Sequence, residues 1–199
     1  MTTIFFCRHG SVENPGDIFY GRLPGFHLSS EGKEEARKLG VSLKNEGISV
    51  LYSSPLERTM ETAEIIRGEL HIPTILKDDR ILEVYTPIEG ITFTELEKID
   101  DDFYTNDYVS KGGESLEMVI SRLMDFYIEV AKKHPGEKVA IVSHGDNMMI
   151  TLLLSKGIVP KRKAEMIQDG YLPRGSAFEF GIDLHSNSLH FVRILPKND

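Results

Sequence analysis

The chain has 199 residues, 40% of them hydrophobic and 27% charged, which is enough for a sizeable buried core within one domain. Its 23 basic and 31 acidic residues leave a net charge of −8. That balance argues against a general nucleic-acid or anionic-membrane binder, which needs a basic footprint, but allows a small basic pocket. The single cysteine, Cys7, cannot form an internal disulfide, so no oxidising compartment is implied. The segment before Arg8 lacks the basic start of a signal peptide, and no apolar run approaches the ~18 residues of a membrane span. The expectation is a soluble cytoplasmic protein.

In chain order, Thr3–Cys7 is an apolar run too short for a helix and stops at a charged pair and a glycine, predicting a buried strand. Residues 11–30 hold Pro15, Gly16, Gly21, Pro24 and Gly25 and predict a long loop, which in a compact domain is usually functional. Ala36, Leu39 and Leu43 recur at helical spacing within 31–46, with Gly47 as the stop. A strand is expected at 50–52, a helix at 56–70 and a strand at 74–76. Residues 87–113 show weak periodicity and predict an excursion over the sheet edge. Ser115 is the candidate N-cap of a helix whose apolar face runs from Leu116 to Val130, ended by Pro135-Gly136. A buried strand at 138–142, a helix at 147–156 and a hairpin pairing 176–182 with 189–195 complete the chain.

Strand–helix alternation with a terminal hairpin predicts a three-layer α/β/α fold on a mostly parallel central sheet with an antiparallel C-terminal hairpin. Ligands of such sheets bind at the carboxyl ends of the strands. Arg8-His9-Gly10 and Ser143-His144-Gly145 both follow buried strands, so both histidines are expected on that edge. An isolated Arg-His-Gly is usually a surface turn; its near-repetition shifts the reading toward a site for a tetrahedral anion. Arg58 stands in a first helical turn, where the macrodipole disfavours a cation unless an anion offsets it.

Arg8-His9-Gly10, the segment from Ser53 through Arg58 to Thr62, Glu83, and Ser143-His144-Gly145 together resemble the histidine phosphatase superfamily, the phosphoglycerate-mutase-like enzymes. Gly21, the run Leu28-Ser29-Ser30-Glu31-Gly32 and Ala36 are similar to that family's entry into its first helix, and Gly112-Gly113-Glu114-Ser115 to the start of its long central helix. The resemblance runs from about residue 3 to 195. It implies one such domain over 1–199, and a role for each matching position. His9 is the nucleophile that becomes phosphohistidine. Arg8, Arg58 and His144 clamp the phosphoryl oxygens. Glu83 protonates the leaving alkoxide and then activates water. No metal or other cofactor is expected, because these cationic groups supply the positive charge.

Two departures bear on the site. Ser11-Val12-Glu13-Asn14 follows the first motif, and Asn14 is the candidate for the family's pocket amide. The segment from Glu83 to Glu89-Gly90 is one residue shorter than usual, which leaves Glu89 as an alternative acid. Tyr20, Gly21 and Arg22 are candidate substrate-binding residues, with Tyr104 or Tyr108 as further walls, and His27 is a lesser candidate for substrate contact. A cysteine phosphatase would need an arginine where Glu13 stands, so Cys7 is assigned to the core; His71, His134, His185 and His190 are read as structural. Asp100-Asp101-Asp102 lacks a preceding strand and is read as solvated acid, and no zinc-ligand spacing or Gly-rich phosphate loop is present.

The expected activity is metal-independent hydrolysis of a small phosphomonoester, an α-ribazole-phosphate type being one of several that fit. Inorganic phosphate is the product, no nucleic acid or membrane partner is expected, and a homodimer is left open. A phosphomutase is the nearest alternative, disfavoured by the short stretch between Glu83 and His144. A non-catalytic phospho-ligand module is the other, disfavoured because binding alone needs no protonating carboxylate.

Overall fold

A computed structural model of the chain describes residues 1–99 and 102–195. Asp100 and Asp101 of the acidic run lie outside the described residues. One six-stranded sheet organises the molecule, ordered β3-β2-β4-β1-β5-β6. The strands are β1 (Thr2–Arg8), β2 (Val50–Ser53), β3 (Leu76–Lys77), β4 (Lys138–Ser143), β5 (Ala177–Asp183) and β6 (Ser188–Ile194). The first four run parallel, whereas β5 pairs antiparallel with β1 and β6 antiparallel with β5. This is the expected mixed α/β sheet with its terminal hairpin.

Why β1 is apolar throughout is evident from its two faces. Ile4 and Phe6 enter one core cluster and Phe5 and Cys7 the other, so the strand is buried on both sides. Helices α1 (Ser30–Leu43) and α2 (Glu57–Leu70) cover the Phe5 face through Leu39, Leu43, Ala63 and Ile66. Further along, α5 (Leu116–Lys133) and α6 (Gly145–Ser155) cover the Phe6 face. The Ser115 hydroxyl accepts a hydrogen bond from the Met118 amide, as the N-cap reading predicts. Cys7 is fully buried, and burial pushes its thiol up to about 12, as suits a small core residue.

The boundaries depart from the sequence reading in several places, and α1 already ends at Leu43 rather than 46. The third strand is only two residues, lying at Leu76–Lys77 rather than 74–76, because its single partner, β2, is itself short. Helix α6 begins at Gly145, immediately after His144, where a helix from 147 was expected. The excursion contains two one-turn helices, α3 (Phe93–Leu96) and α4 (Asn106–Val109), and a third, α7 (Lys163–Met166), follows α6. Single turns bury too little to leave a periodic signal.

Candidate active site

The register of the sheet assembles the site. Arg8 pairs with Ser143 across β1 and β4, so His9 and His144 leave adjacent parallel strands side by side. Their ring centroids are 5.4 Å apart in an edge-to-face arrangement. The chain leaves β1 against the start of α1 with no room for a side chain: a Cβ on Gly10 would lie 2.3 Å from the Gly32 carbonyl oxygen. The Gly10 amide donates to Thr62 Oγ1 at 3.2 Å, tying this turn to α2.

His9 is 2% exposed, and its Nδ1 lies 2.8 Å from the Gly10 carbonyl oxygen. A carbonyl can only accept, so Nδ1 carries the proton and Nε2 is the basic, nucleophilic nitrogen. Burial, followed by the charge of Arg58, holds the imidazole well below its usual pKa and therefore neutral. The ring is an amine base in waiting.

Arg58 is the largest fully buried side chain among the described residues. One of its nitrogens, Nη2, donates to the Gly21 carbonyl at 2.7 Å and to His144 Nδ1 at 3.2 Å, while Tyr20 lies 4.8 Å beneath the guanidinium. The other two, Nε and Nη1, are buried without partners, as is Arg8 Nε. Orphaned guanidinium N–H groups beside a nucleophile are costly unless an anion receives them. Because Arg58 only donates, His144 Nδ1 must accept, and Nε2 is the protonated nitrogen, 2.8 Å from Ser54 Oγ. Burial, reinforced by Arg58, also keeps His144 neutral. Arg8 is held by the Leu172 carbonyl and lies over the Tyr171 ring.

Glu83 closes the opposite wall. One oxygen accepts the Val84 amide at 3.0 Å, and the other is 3.9 Å from His144 Nδ1. Burial, followed by the nearby charge of Asp146, raises its pKa to about 7, which leaves it partly protonated at neutral pH. Asp146, in the first turn of α6, is itself clamped by two tyrosine hydroxyls, Tyr104 and Tyr171, each donating at 2.5 Å. Asp146 is not singled out by the sequence, because an acid in the first turn of a helix is ordinary there.

A cavity of about 350 Å³ collects Arg8, His9, Tyr20, Gly21 and Glu83, together with Asp146, Tyr171 and Arg174. Other expected residues serve its walls from behind. Arg22 Nε donates to the Glu83 carbonyl at 2.5 Å and its Nη2 to Glu114 at 2.7 Å, so it holds the Glu83 backbone. Asn14 binds both the amide and the carbonyl of Ile18, bracing the loop. Glu89 accepts the Arg22 amide at 2.8 Å and lies against Gly21, whereas Glu83 faces the histidines. Tyr108 packs against the core, and exposed His27 pairs with Glu61 at 2.5 Å. His134 meets the Tyr52 hydroxyl at 3.0 Å, and His185 and His190 belong to the hairpin. Among the described residues, no three His, Cys, Asp or Glu side chains gather as a metal cluster, and no helix is long and apolar enough to cross a membrane.

The chain is similar to several known proteins. Phosphoserine phosphatase 1 of Hydrogenobacter thermophilus is 36% identical over 152 residues, covering 72% of this chain and 71% of that one. A 2,3-bisphosphoglycerate-dependent phosphoglycerate mutase of Cytophaga hutchinsonii is 27% identical over 98% of this chain and 95% of its own. The structure of Bacillus stearothermophilus YhfR superposes with a TM-score of 0.83 at 27% identity, covering 97% and 96% of the two chains. Residues 4–170 match the model of the histidine phosphatase superfamily, branch 1, and the chain belongs to that family.

Proposed function

We propose that the protein is a phosphomonoesterase that turns over through phosphohistidine at His9. The observation that carries this reading is the unpartnered, buried guanidinium edge of Arg58 beside a neutral imidazole whose Nδ1 proton is already committed. A phosphoryl group receives the free N–H groups of Arg58 and Arg8 while His9 Nε2 attacks phosphorus. The N–P bond forms as the bond to the leaving oxygen breaks. The dianion also offsets the positive potential around His144 and favours its protonation, adding a donor as charge moves on to the phosphoryl oxygens.

Glu83 supplies the proton to the leaving oxygen. Its raised pKa suits a carboxyl that must begin protonated and end ionised near neutral pH. In the second half-reaction the carboxylate takes a proton from water, the water oxygen bonds to phosphorus, and His9 leaves as the neutral ring. Inorganic phosphate is released. The cation set is made of side chains, so no metal is assigned to these steps.

A screen of small phosphomonoesters with the purified protein, reading released phosphate, tests the activity. Hydrolysis of at least one alkyl phosphate, abolished in H9A, is expected; transfer to a second phosphoacceptor instead of water would favour the mutase reading.

A further inference from the structure

Arg174 is a guanidinium of the cavity that the mechanism above does not use. It lines the same wall as Arg8 and Tyr171, and its Nε is buried without a hydrogen-bond partner. Its position is fixed by the chain on either side. Leu172 holds Arg8 through its carbonyl, and the Gly175 amide donates to the His9 carbonyl at 3.2 Å. Gly175 has φ +65°, and a Cβ there would lie 2.7 Å from Glu35 Cβ, so no other residue fits this anchor without strain. The loop therefore delivers Arg174 one residue from a backbone contact with the nucleophile.

Two guanidinium groups on one wall repel. Arg174 ranks directly after burial among the causes lowering the Arg8 pKa. Arg58 and His144 approach the phosphoryl position from α2 and the end of β4, whereas Arg174 comes from the loop before β5, beside Tyr171. Three carboxylates share the cavity. Asp146 is occupied by its tyrosines, Glu83 faces His144, and Glu97 follows α3. Lys163, which also lines the cavity, lies over Phe103 at 4.3 Å and adds a second positive charge.

We infer that Arg174 reads a second anionic group on the substrate, a carboxylate or a second phosphoryl, carried on the leaving-group side of the ester. This rests on the phosphatase reading and narrows it. The preferred substrate is then a small phosphomonoester with two anionic ends, of a size to share about 350 Å³ with the phosphoryl site.

Matched substrates test it. O-phosphoserine and O-phosphoethanolamine differ by a carboxylate, and propane-1,3-diyl bisphosphate and propyl phosphate by a second phosphoryl; comparing the two pairs distinguishes the two anions. R174Q is expected to lower kcat/KM for the doubly anionic member of the preferred pair about 10- to 100-fold more than for its partner, chiefly through KM. R174K keeps the charge but loses the fork, and is expected to shift the same ratio less. Equal losses on both members would make Arg174 a clamp on the transferring phosphoryl and overturn the proposal, as would no change in either. Should R174Q fail to fold, an unchanged ratio in R174K overturns it. If the wild type hydrolyses none of the four esters, the phosphatase reading is judged by the wider screen, and the same ratio, read from binding to H9A by calorimetry, decides the role of Arg174.

Discussion

In the proposed mechanism Glu83 and Arg58 make different demands on a substrate, and the difference is measurable. An alkyl phosphate leaves as a high-pKa alkoxide that needs a proton, whereas nitrophenolate leaves unaided. E83Q is expected to slow single-turnover phosphorylation of His9 by the alkyl ester about 10²- to 10⁴-fold, and by the nitrophenyl ester far less. Equal slowing of both would move the acid role elsewhere, with Glu89 next in line. R58A removes contacts to phosphoryl oxygens that both esters share, so both should slow alike, and unequal slowing would count against the clamp. Glu83 also carries a stability cost with a definite sign. Its pKa rises from 4.5 unfolded to about 7 folded, so the unfolded chain loses its proton first and stability falls as pH rises through that window. At pH 8 the whole cost is present. E83Q should then be the more stable protein, by about 3 kcal/mol in denaturant unfolding, and the difference should vanish near pH 4; a variant less stable at pH 8 would contradict the raised pKa.

At the scale of elements, Asp146 joins three parts of the fold: the start of α6, Tyr104 on the excursion and Tyr171 on the loop before β5. Its charge is the main electrostatic reason Glu83 is hard to ionise. D146N keeps the size of the side chain and removes that charge. Glu83 then ionises more readily, and because phosphorylation needs it protonated, the alkaline limb of the single-turnover pH profile should move to lower pH. An unmoved limb would separate Asp146 from the acid. The same clamp explains what was legible in the sequence. The strand–His–Gly pair and Arg58 stood out because they break local rules: polar residues close an apolar strand, and a cation sits at the positive end of a helix. Asp146 and Arg174 break none, since an acid suits a helix N-terminus and an arginine between Pro173 and Gly175 looks like an ordinary turn. Only the tertiary fold shows what they face. Asn14 and Arg22 lie in a glycine-rich loop whose contacts only the fold sets, and their side chains brace Ile18 and the Glu83 carbonyl.

Across the whole molecule, an acidic chain of net charge −8 surrounds a pocket lined by Arg8 and Arg174, with Arg58 buried against Gly21 of its wall. The burial of β1 and β4 is legible in the sequence because both runs are apolar on both faces, as only a central parallel strand needs to be. The two-residue β3 and the one-turn helices were not, because pairing and packing with distant residues define them. With guanidinium and imidazole groups as the cations, prolonged chelator treatment is expected to leave the turnover rate unchanged; a large loss restored by Mg²⁺ or Mn²⁺ would show that a metal supplies part of the charge. The central claim, covalent catalysis at His9, has a more direct test. Turnover of a ³²P-labelled monoester, quenched within one cycle, should trap an acid-labile, base-stable protein phosphate that maps to the peptide containing His9 and is lost in H9A. A folded H9A protein that retains full activity, or label on any other residue, would contradict it.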